Sequence, residues 1–273
     1  MSERRRVTGF SNPLVKSLRS LREKKFRKRE RRFLAEGLRL LTDARECGRL
    51  PEILVMAAGR EGHPLLDALE ADVIAAGGDV VEMDEAVLAK VTGKDNPQTV
   101  AGVFAEFDTA LAAIDRSAAP LWLVAQAMRD PGNLGTMLRT SDAVGAGGLI
   151  LIDECADPFS VEAVRASMGA VFTQRVAQAR WDEFIAWLRG GDASQPGQLV
   201  AASLRDAMPY REAPYAAPCF IMVGNESRGL PREYEDACDL RVTIPMLGRA
   251  DSLNAAVAAA VLAYEALARL RGK

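Results

Sequence analysis

The chain has a single histidine, His63, and only four cysteines, so the side chains that most often bind transition metals or relay protons are scarce. Cys47, Cys155, Cys219 and Cys238 are widely spaced and form no Cys-x-x-Cys pair. No zinc set can be assembled from them, no metal is expected, and reduced, buried thiols are predicted. His63 precedes Pro64 in a Gly-containing stretch and reads as a loop residue, which removes histidine acid–base catalysis. No apolar run approaches the roughly 18 to 20 residues of a membrane span. The basic start Arg4-Arg5-Arg6 is not followed by the apolar core of a signal peptide, so a cytoplasmic protein is expected. A Walker loop and a Ser/His/Asp set are missing as well. Gly145-Ala146-Gly147-Gly148 looks like a phosphate-binding run, but it follows a predicted helix and precedes a predicted strand. A dinucleotide fingerprint requires the reverse order.

The 273 residues are 49% hydrophobic, enough for a sizeable core and, by length, for two domains. The net charge of -2 conceals an asymmetry. Residues 1–32 hold 13 Lys/Arg against 3 Asp/Glu, which leaves 22 basic and 34 acidic residues in the remainder, so the two regions carry +10 and -12. A basic arm on an acidic body suits a polyanion such as a phosphate backbone, although a solvated basic helix that maintains solubility has the same composition.

Over residues 12–32 the apolar positions Leu14, Val15, Leu18, Leu21 and Phe26 recur at helical spacing behind the cap and first-turn pair Asn12-Pro13, predicting one amphipathic helix with a cationic polar face. Strands at 33–36, 52–56, 80–83 and 100–104 alternate with helices at 38–47, 64–75 and 86–91, which predicts a small α/β domain over 1–107. Residues 108–119, rich in Ala, Ser and Asp, are expected to be a linker. The block 120–273 restarts with a strand at 121–126. Helices follow at 134–144, 161–168, 181–188 and 231–238, and strands at 149–152, 175–178, 199–202, 220–223 and 241–244. A long helix from 253 to 270 closes the chain. This pattern predicts a mostly parallel sheet covered on both faces.

In such sheets ligands sit beyond the carboxyl ends of the strands, where three clusters stand out. Arg129-Asp130-Pro131-Gly132-Asn133-Leu134-Gly135 opens a helix that carries Arg139; Pro131-Gly132 reads as a turn and Asn133 as the cap. An ordinary capped helix with a surface Arg fits equally well. Gly224-Asn225-Glu226-Ser227-Arg228-Gly229-Leu230-Pro231 follows a buried strand, and a glycine there lets a ligand approach the backbone. A plain strand-to-helix turn has the same look. Ile244-Pro245-Met246-Leu247-Gly248-Arg249-Ala250-Asp251-Ser252-Leu253-Asn254 leads into a helix rich in alanine, with Asp251 or Ser252 as the expected cap. The alanines by themselves need only a tightly packed core helix.

Taken in this order, Asn133 with Arg139, Gly224-x-Glu226-x-x-Gly229-Leu230, and Ile244-Pro245-Met246 with Ser252-Leu253-Asn254 resemble the SpoU/TrmH family of RNA ribose 2′-O-methyltransferases, part of the SPOUT superfamily. A looser resemblance to the family's substrate-binding domain lies in Phe33-Leu34-Ala35-Glu36-Gly37 and Asn96-Pro97-Gln98. The resemblance implies an α/β fold with a C-terminal SPOUT-type parallel sheet closed by a trefoil knot, preceded by a small α/β substrate-binding domain. It implies a homodimer and S-adenosylmethionine as cofactor. The implied cofactor pocket comprises Gly224, Glu226, Gly229, Leu230, Ile244, Pro245, Met246, Leu253 and Asn254; the implied chemistry rests on Asn133, Arg139, Ser252 and Asn254. A guanidinium, with a pKa above roughly 12, is a poor base, so Arg139 is expected to grip a phosphate and orient the 2′-hydroxyl. Lys24, Lys25, Arg27, Lys28, Arg29, Arg31 and Arg32 are expected to contact RNA phosphates.

One departure from the family pattern is Ala255-Ala256, where Val-Ser commonly follows Asn254. The separate basic N-terminal block favours large-subunit ribosomal RNA as substrate; transfer RNA enzymes share the three motifs. An inactive RNA-binding or ribosome-associated protein is a further alternative, opposed by the intact Arg139, Glu226 and Asn254. A nucleotide-binding dehydrogenase is opposed by the misplaced glycines.

Overall fold

Alternating apolar runs and amphipathic stretches fold, in chain order, as β1 (Arg5–Val7), α1 (Pro13–Ser20), α2 (Lys24–Glu30), β2 (Arg32–Glu36), α3 (Leu38–Glu46), β3 (Ile53–Ala57), α4 (Pro64–Ala75), β4 (Asp79–Met83), α5 (Glu85–Thr92) and β5 (Val100–Ala105). They are followed by β6 (Leu121–Gln126), α6 (Pro131–Ala143), β7 (Gly148–Ile152), α7 (Val161–Ala166), α8 (Ala170–Thr173), β8 (Arg175–Ala179), α9 (Trp181–Arg189) and β9 (Gln198–Ala202). The chain ends with β10 (Met208–Pro209), β11 (Cys219–Val223), α10 (Arg232–Asp236), β12 (Leu240–Thr243) and α11 (Ala255–Arg271). The structure is a computed structural model that describes residues 4–59, 62–93, 98–190 and 197–272. Asn96 and Pro97 of the expected Asn96-Pro97-Gln98 motif lie outside the described residues.

Packing divides the chain into two units, Met1–Phe107 with Phe159–Thr173, and Asp108–Pro158 with Gln174–Lys273. The first holds a mixed sheet in the order β1-β4-β3-β5-β2, with β4 parallel to β1 and β3, and β5 antiparallel to β3 and β2. Phe159–Thr173, although flanked in sequence by strands of the second sheet, belongs to this unit. Phe159 and Phe172 complete an aromatic cluster with Phe33, Phe104 and Phe107; the Phe33–Phe159 centroids are 5.0 Å apart and the Phe104–Phe172 centroids 4.8 Å. Burying two phenylalanines outweighs chain proximity as a determinant of which unit the segment joins.

The single helix expected over 12–32 is two helices. Asn12 caps α1, accepting from Leu14 N at 2.9 Å, and Pro13 takes the first helical position as predicted. The ladder then breaks after Ser20, and Leu21, 2% exposed, turns into the core. Arg27 of α2 closes the break, donating from Nη1 to Leu21 O at 2.8 Å. It is itself only 2% exposed, so the expectation that Arg27 faces a phosphate is corrected: its charge lies inside the unit, hydrogen-bonded to backbone.

The second unit is built on a wholly parallel sheet in the order β10-β12-β9-β11-β6-β7-β8. One core cluster contains Trp122, Val124, Ile150, Phe184, Leu199, Phe220 and Met222, and α11 packs on α6, β6 and β11. The stretch 108–119, expected as a linker, is packed onto this unit: Leu111 and Ile114 join the same core. The run Gly145-Ala146-Gly147-Gly148 is explained by packing, because a Cβ on Gly147 would lie 2.3 Å from the Trp122 ring. Three thiols are buried or half-buried as expected, but Cys47 is exposed near the end of α3. Among the described residues no helix is long and apolar enough to cross a membrane.

Candidate active site

The loops after β6, β11 and β12 bring the three sequence clusters together at the carboxyl ends of the parallel strands. After β6, the α6 N-terminus is capped by Asp130, whose Oδ1 accepts from Asn133 N at 2.7 Å; Pro131 sits at the first helical position. Asn133 is therefore not the cap that its position suggested, and Pro131-Gly132 is the first turn of the helix. The physical reason is the Asp-Pro pair, which supplies both a cap acceptor and a fixed φ one step earlier. The amide of Asn133 is thereby free for another purpose.

After β11, residues 224–230 form a tight ring organised by Asn225, a residue that the sequence reading did not single out. Its Oδ1 accepts from Ser227 N at 3.0 Å and Arg228 N at 3.2 Å, its Nδ2 donates to Ala127 O at 2.9 Å, and its carbonyl accepts from Gly229 N at 2.9 Å. A Cβ on Gly224 would lie 2.4 Å from the Gly229 carbonyl carbon, so the ring closes only around glycine. Leu230, 8% exposed, anchors the far side in the core. An Asx turn following a glycine is a local signal that could have drawn attention to Asn225.

After β12, Asn254 caps α11, its Oδ1 accepting from Ala256 N at 2.9 Å and Val257 N at 3.3 Å; neither Asp251 nor Ser252 does so. The cap leaves Asn254 Nδ2 available, and it donates to Asn133 Oδ1 at 2.9 Å. Asn133 Nδ2 in turn donates to Glu226 Oε1 at 2.8 Å. One residue from each cluster thus joins a single chain of hydrogen bonds, and each amide in it has one possible orientation. Arg139 is exposed on α6, six residues beyond Asn133.

Beside this chain of bonds lies a cleft of about 440 Å³. Gly224, Glu226, Gly229, Leu230, Ile244, Met246, Ser252 and Leu253 line it, whereas Asn133, Arg139, Pro245 and Asn254 do not. The cleft walls also include Ala255, Ala258 and Leu262 of α11, and Ser203, Leu204, Arg205 and Glu235, none of which the motifs had indicated. A volume in the few-hundred Å³ range, with apolar walls and a few backbone and side-chain polar groups, fits a nucleoside-sized ligand bearing an amino-acid tail. Cys155, Cys219 and Cys238 do not compete as nucleophiles: burial pushes Cys155 up to about 11 and Cys219 and Cys238 to about 12.

Of the basic N-terminal residues, Lys24, Lys25, Lys28, Arg29, Arg31 and Arg32 are exposed. Arg32 pairs with Glu52 at 2.6 Å, Arg29 with Glu30 at 2.7 Å and Lys25 with Glu23 at 3.0 Å; exposed pairs of this kind contribute little to stability.

Residues 120–264 match the model of the SpoU rRNA Methylase family, and residues 12–102 that of the MRM3-like substrate binding domain. The 23S rRNA (guanosine(2553)-2'-O)-methyltransferase RlmP of Bacillus subtilis is 30% identical over 261 residues, spanning 95% of this chain and 98% of the relative. The crystal structure of an AdoMet-bound rRNA methyltransferase from Sinorhizobium meliloti superposes with a TM-score of 0.89 at 40% identity, covering 97% of this chain and 98% of that one. The SpoU methyltransferase AviRb from Streptomyces viridochromogenes, in complex with AdoMet, gives a TM-score of 0.85 at 28% identity over 94% of this chain and 98% of its own.

Proposed function

This chain belongs to the SpoU rRNA methylase family, and we infer that it transfers a methyl group from S-adenosylmethionine to a ribose 2′-hydroxyl of ribosomal RNA. The observation that carries this reading is the Asn254–Asn133–Glu226 chain of hydrogen bonds set beside the cleft. When bound, the cofactor supplies an electrophilic methyl on a sulfonium, to be taken by an oxygen in line with the breaking bond. The protein's task is then to bind two substrates and align them. The backbone of the 224–230 ring, with Ile244, Met246 and Leu253, forms the cofactor's side of the site. Asn133, its amide fixed between Asn254 and Glu226, gives the ribose a defined polar edge. Arg139 grips the phosphate beside the target nucleotide and orients the 2′-hydroxyl, whose proton leaves to phosphate or water, since a guanidinium does not accept it.

Four further features belong to the proposal. The substrate is large-subunit ribosomal RNA, in keeping with the names of the relatives. The N-terminal unit holds the RNA through the exposed cations of α2 and its flanks. The C-terminal segment threads into a trefoil knot. The active protein is a homodimer, supported by an apolar stripe formed by Leu253, just before α11, and by Val257 and Tyr264 of α11, which remain 38%, 47% and 55% exposed. The buried alanines Ala255, Ala256, Ala259, Ala263 and Ala266 pack α11 against its own unit and leave that stripe facing outward.

The test is transfer of radiolabel from S-adenosylmethionine to undermodified ribosomal RNA and, separately, to transfer RNA, with digestion of the product. A 2′-O-methyl nucleotide from ribosomal RNA is expected, with loss of at least 100-fold in rate for Arg139→Ala and unchanged cofactor binding. Label in transfer RNA alone would overturn the substrate. A methyl group on a base would overturn the chemistry.

A further inference from the structure

The turn ahead of α1 carries a phenylalanine that neither the core nor the motifs use. Asn12 N donates to Gly9 O at 3.1 Å, closing a turn in which Phe10 is the second residue. Phe10 is 56% exposed, although the turn is anchored on one side by the Asn12 cap of α1. A single exposed ring needs no special cause. What sets this one apart is the surface that continues from it. Val15 and Leu18 are buried on one side of α1, while Lys16 and Arg19 are exposed on the helix and Arg22 just beyond it. Among the described residues none of these three cations is in an ion pair. On α2, Arg29 lies over the Phe26 ring at 4.9 Å, and Glu30 accepts from its Nε at 3.0 Å and its Nη2 at 2.7 Å. The guanidinium is thus oriented by a ring and a carboxylate while the side chain stays 66% exposed. A run of cations therefore has one planar group before it and another after it.

We propose that this surface binds unpaired RNA, with one base stacked on Phe10, another on the Arg29–Phe26 pair, and the connecting phosphates on Lys16, Arg19 and Arg22. Every base has a π-face, so an aromatic ring or a guanidinium plane rewards any unpaired nucleotide whatever its sequence. A duplex presents only backbone and base edges; it uses the cations and gains nothing from Phe10. A protein partner needs a contiguous apolar patch, whereas Phe10 is flanked by Thr8, Gly9 and Ser11 and then by cations. The proposal rests on the reading that the N-terminal unit holds RNA, and narrows it to unpaired nucleotides.

Fluorescence anisotropy of the whole protein with two labelled probes tests it, an unstructured oligouridylate of about twelve nucleotides and a duplex RNA of the same length. The unaltered protein is expected to bind both. Phe10→Ala should weaken binding of the single strand about tenfold and leave the duplex within about twofold, with the salt slope unchanged. Phe10→Trp should keep the affinity for the single strand. Lys16→Gln combined with Arg19→Gln should weaken both probes and lower the salt slope by roughly one to two. The melting temperature of Phe10→Ala should not move, because the ring is exposed. In Phe10→Ala, equal losses on both probes or no loss on either overturns this proposal alone, as does binding of the duplex but not the single strand by the unaltered protein. Failure of the unaltered protein to bind either probe overturns the RNA-holding role of the N-terminal unit and this proposal with it.

Discussion

Asn254 performs two tasks with the two ends of one amide, and substitutions can separate them. Its oxygen caps α11 and its nitrogen holds Asn133. Asn254→Asp keeps the cap acceptor and loses the donor, so the melting temperature should stay within about two degrees while methyl transfer falls steeply. Asn254→Ala should lose activity and, in addition, about 1 kcal/mol of stability by urea denaturation. Equal stability losses in the two variants would remove the cap from the argument. Arg27 offers a converse case. Arg27→Ala leaves Leu21 O without its donor in a buried place, and a loss of about 1 to 3 kcal/mol is expected, with the salt dependence of RNA binding unaltered. The thiols divide in the same residue-by-residue manner. Burial holds Cys155 near 11 and Cys219 and Cys238 near 12, so at pH 8 their thiolate fraction is on the order of one in a thousand or less. A disulfide reagent should label Cys47 at pH 8 and reach the other three only on unfolding. Their folded values lie above the unfolded one, so the stability they contribute is complete below about pH 9 and is lost as pH rises through 11 to 12.

At the scale of elements, α2 is the piece of the molecule whose charge exceeds its structural needs. Lys24, Lys25, Lys28 and Arg29 are exposed on a helix of seven residues, and Lys25 and Arg29 each pair with a single exposed carboxylate. Replacing all four by Gln should weaken binding of ribosomal RNA and reduce the slope of log K against log salt by roughly one for each phosphate contact removed. Cofactor affinity should be unaffected. A slope that does not change would place the RNA elsewhere on the chain. The break between α1 and α2 matters here, because it turns Leu21 inward and leaves α2 as a short, separate cationic element.

At the scale of the whole molecule, the first unit is assembled from two stretches of chain separated by the 51 intervening residues 108–158. Phe172→Ala should cost about 3 to 5 kcal/mol, because the ring is 5% exposed and its neighbours Phe33, Phe104 and Phe107 cannot close the gap. A fragment ending at Phe107 lacks Phe159 and Phe172 and should unfold with weak cooperativity in denaturant. Sharp, two-state unfolding of that fragment would show that the added segment is dispensable. For association, Val257→Lys combined with Tyr264→Lys should convert a dimer to a monomer by light scattering. An unchanged mass would remove α11 from the proposed interface.

Features that depend on neighbours a few residues away follow from local patterns. Period-two and helical spacing give most strands and helices, Asn12-Pro13 starts α1, and the three clusters fall at strand ends because Gly, Pro and Asn end strands and begin turns. The parallel α/β fold class was legible in this way, whereas Asn133, Glu226 and Asn254 were singled out by the resemblance to the SpoU/TrmH family, and the structure joins the three by hydrogen bonds. The remaining features depend on contacts between distant segments of the chain. Asn133 and Asn254 meet across 121 residues, which no local pattern encodes. Asn133, relieved of the cap by Asp130, bonds Glu226 and Asn254, partners that lie 93 and 121 residues away in sequence. Arg27 is buried although its neighbours in sequence are cations in solvent. In each case the side chain's environment comes from distant segments of the chain, and the energies that choose among those environments are sums over contacts that sequence spacing does not contain.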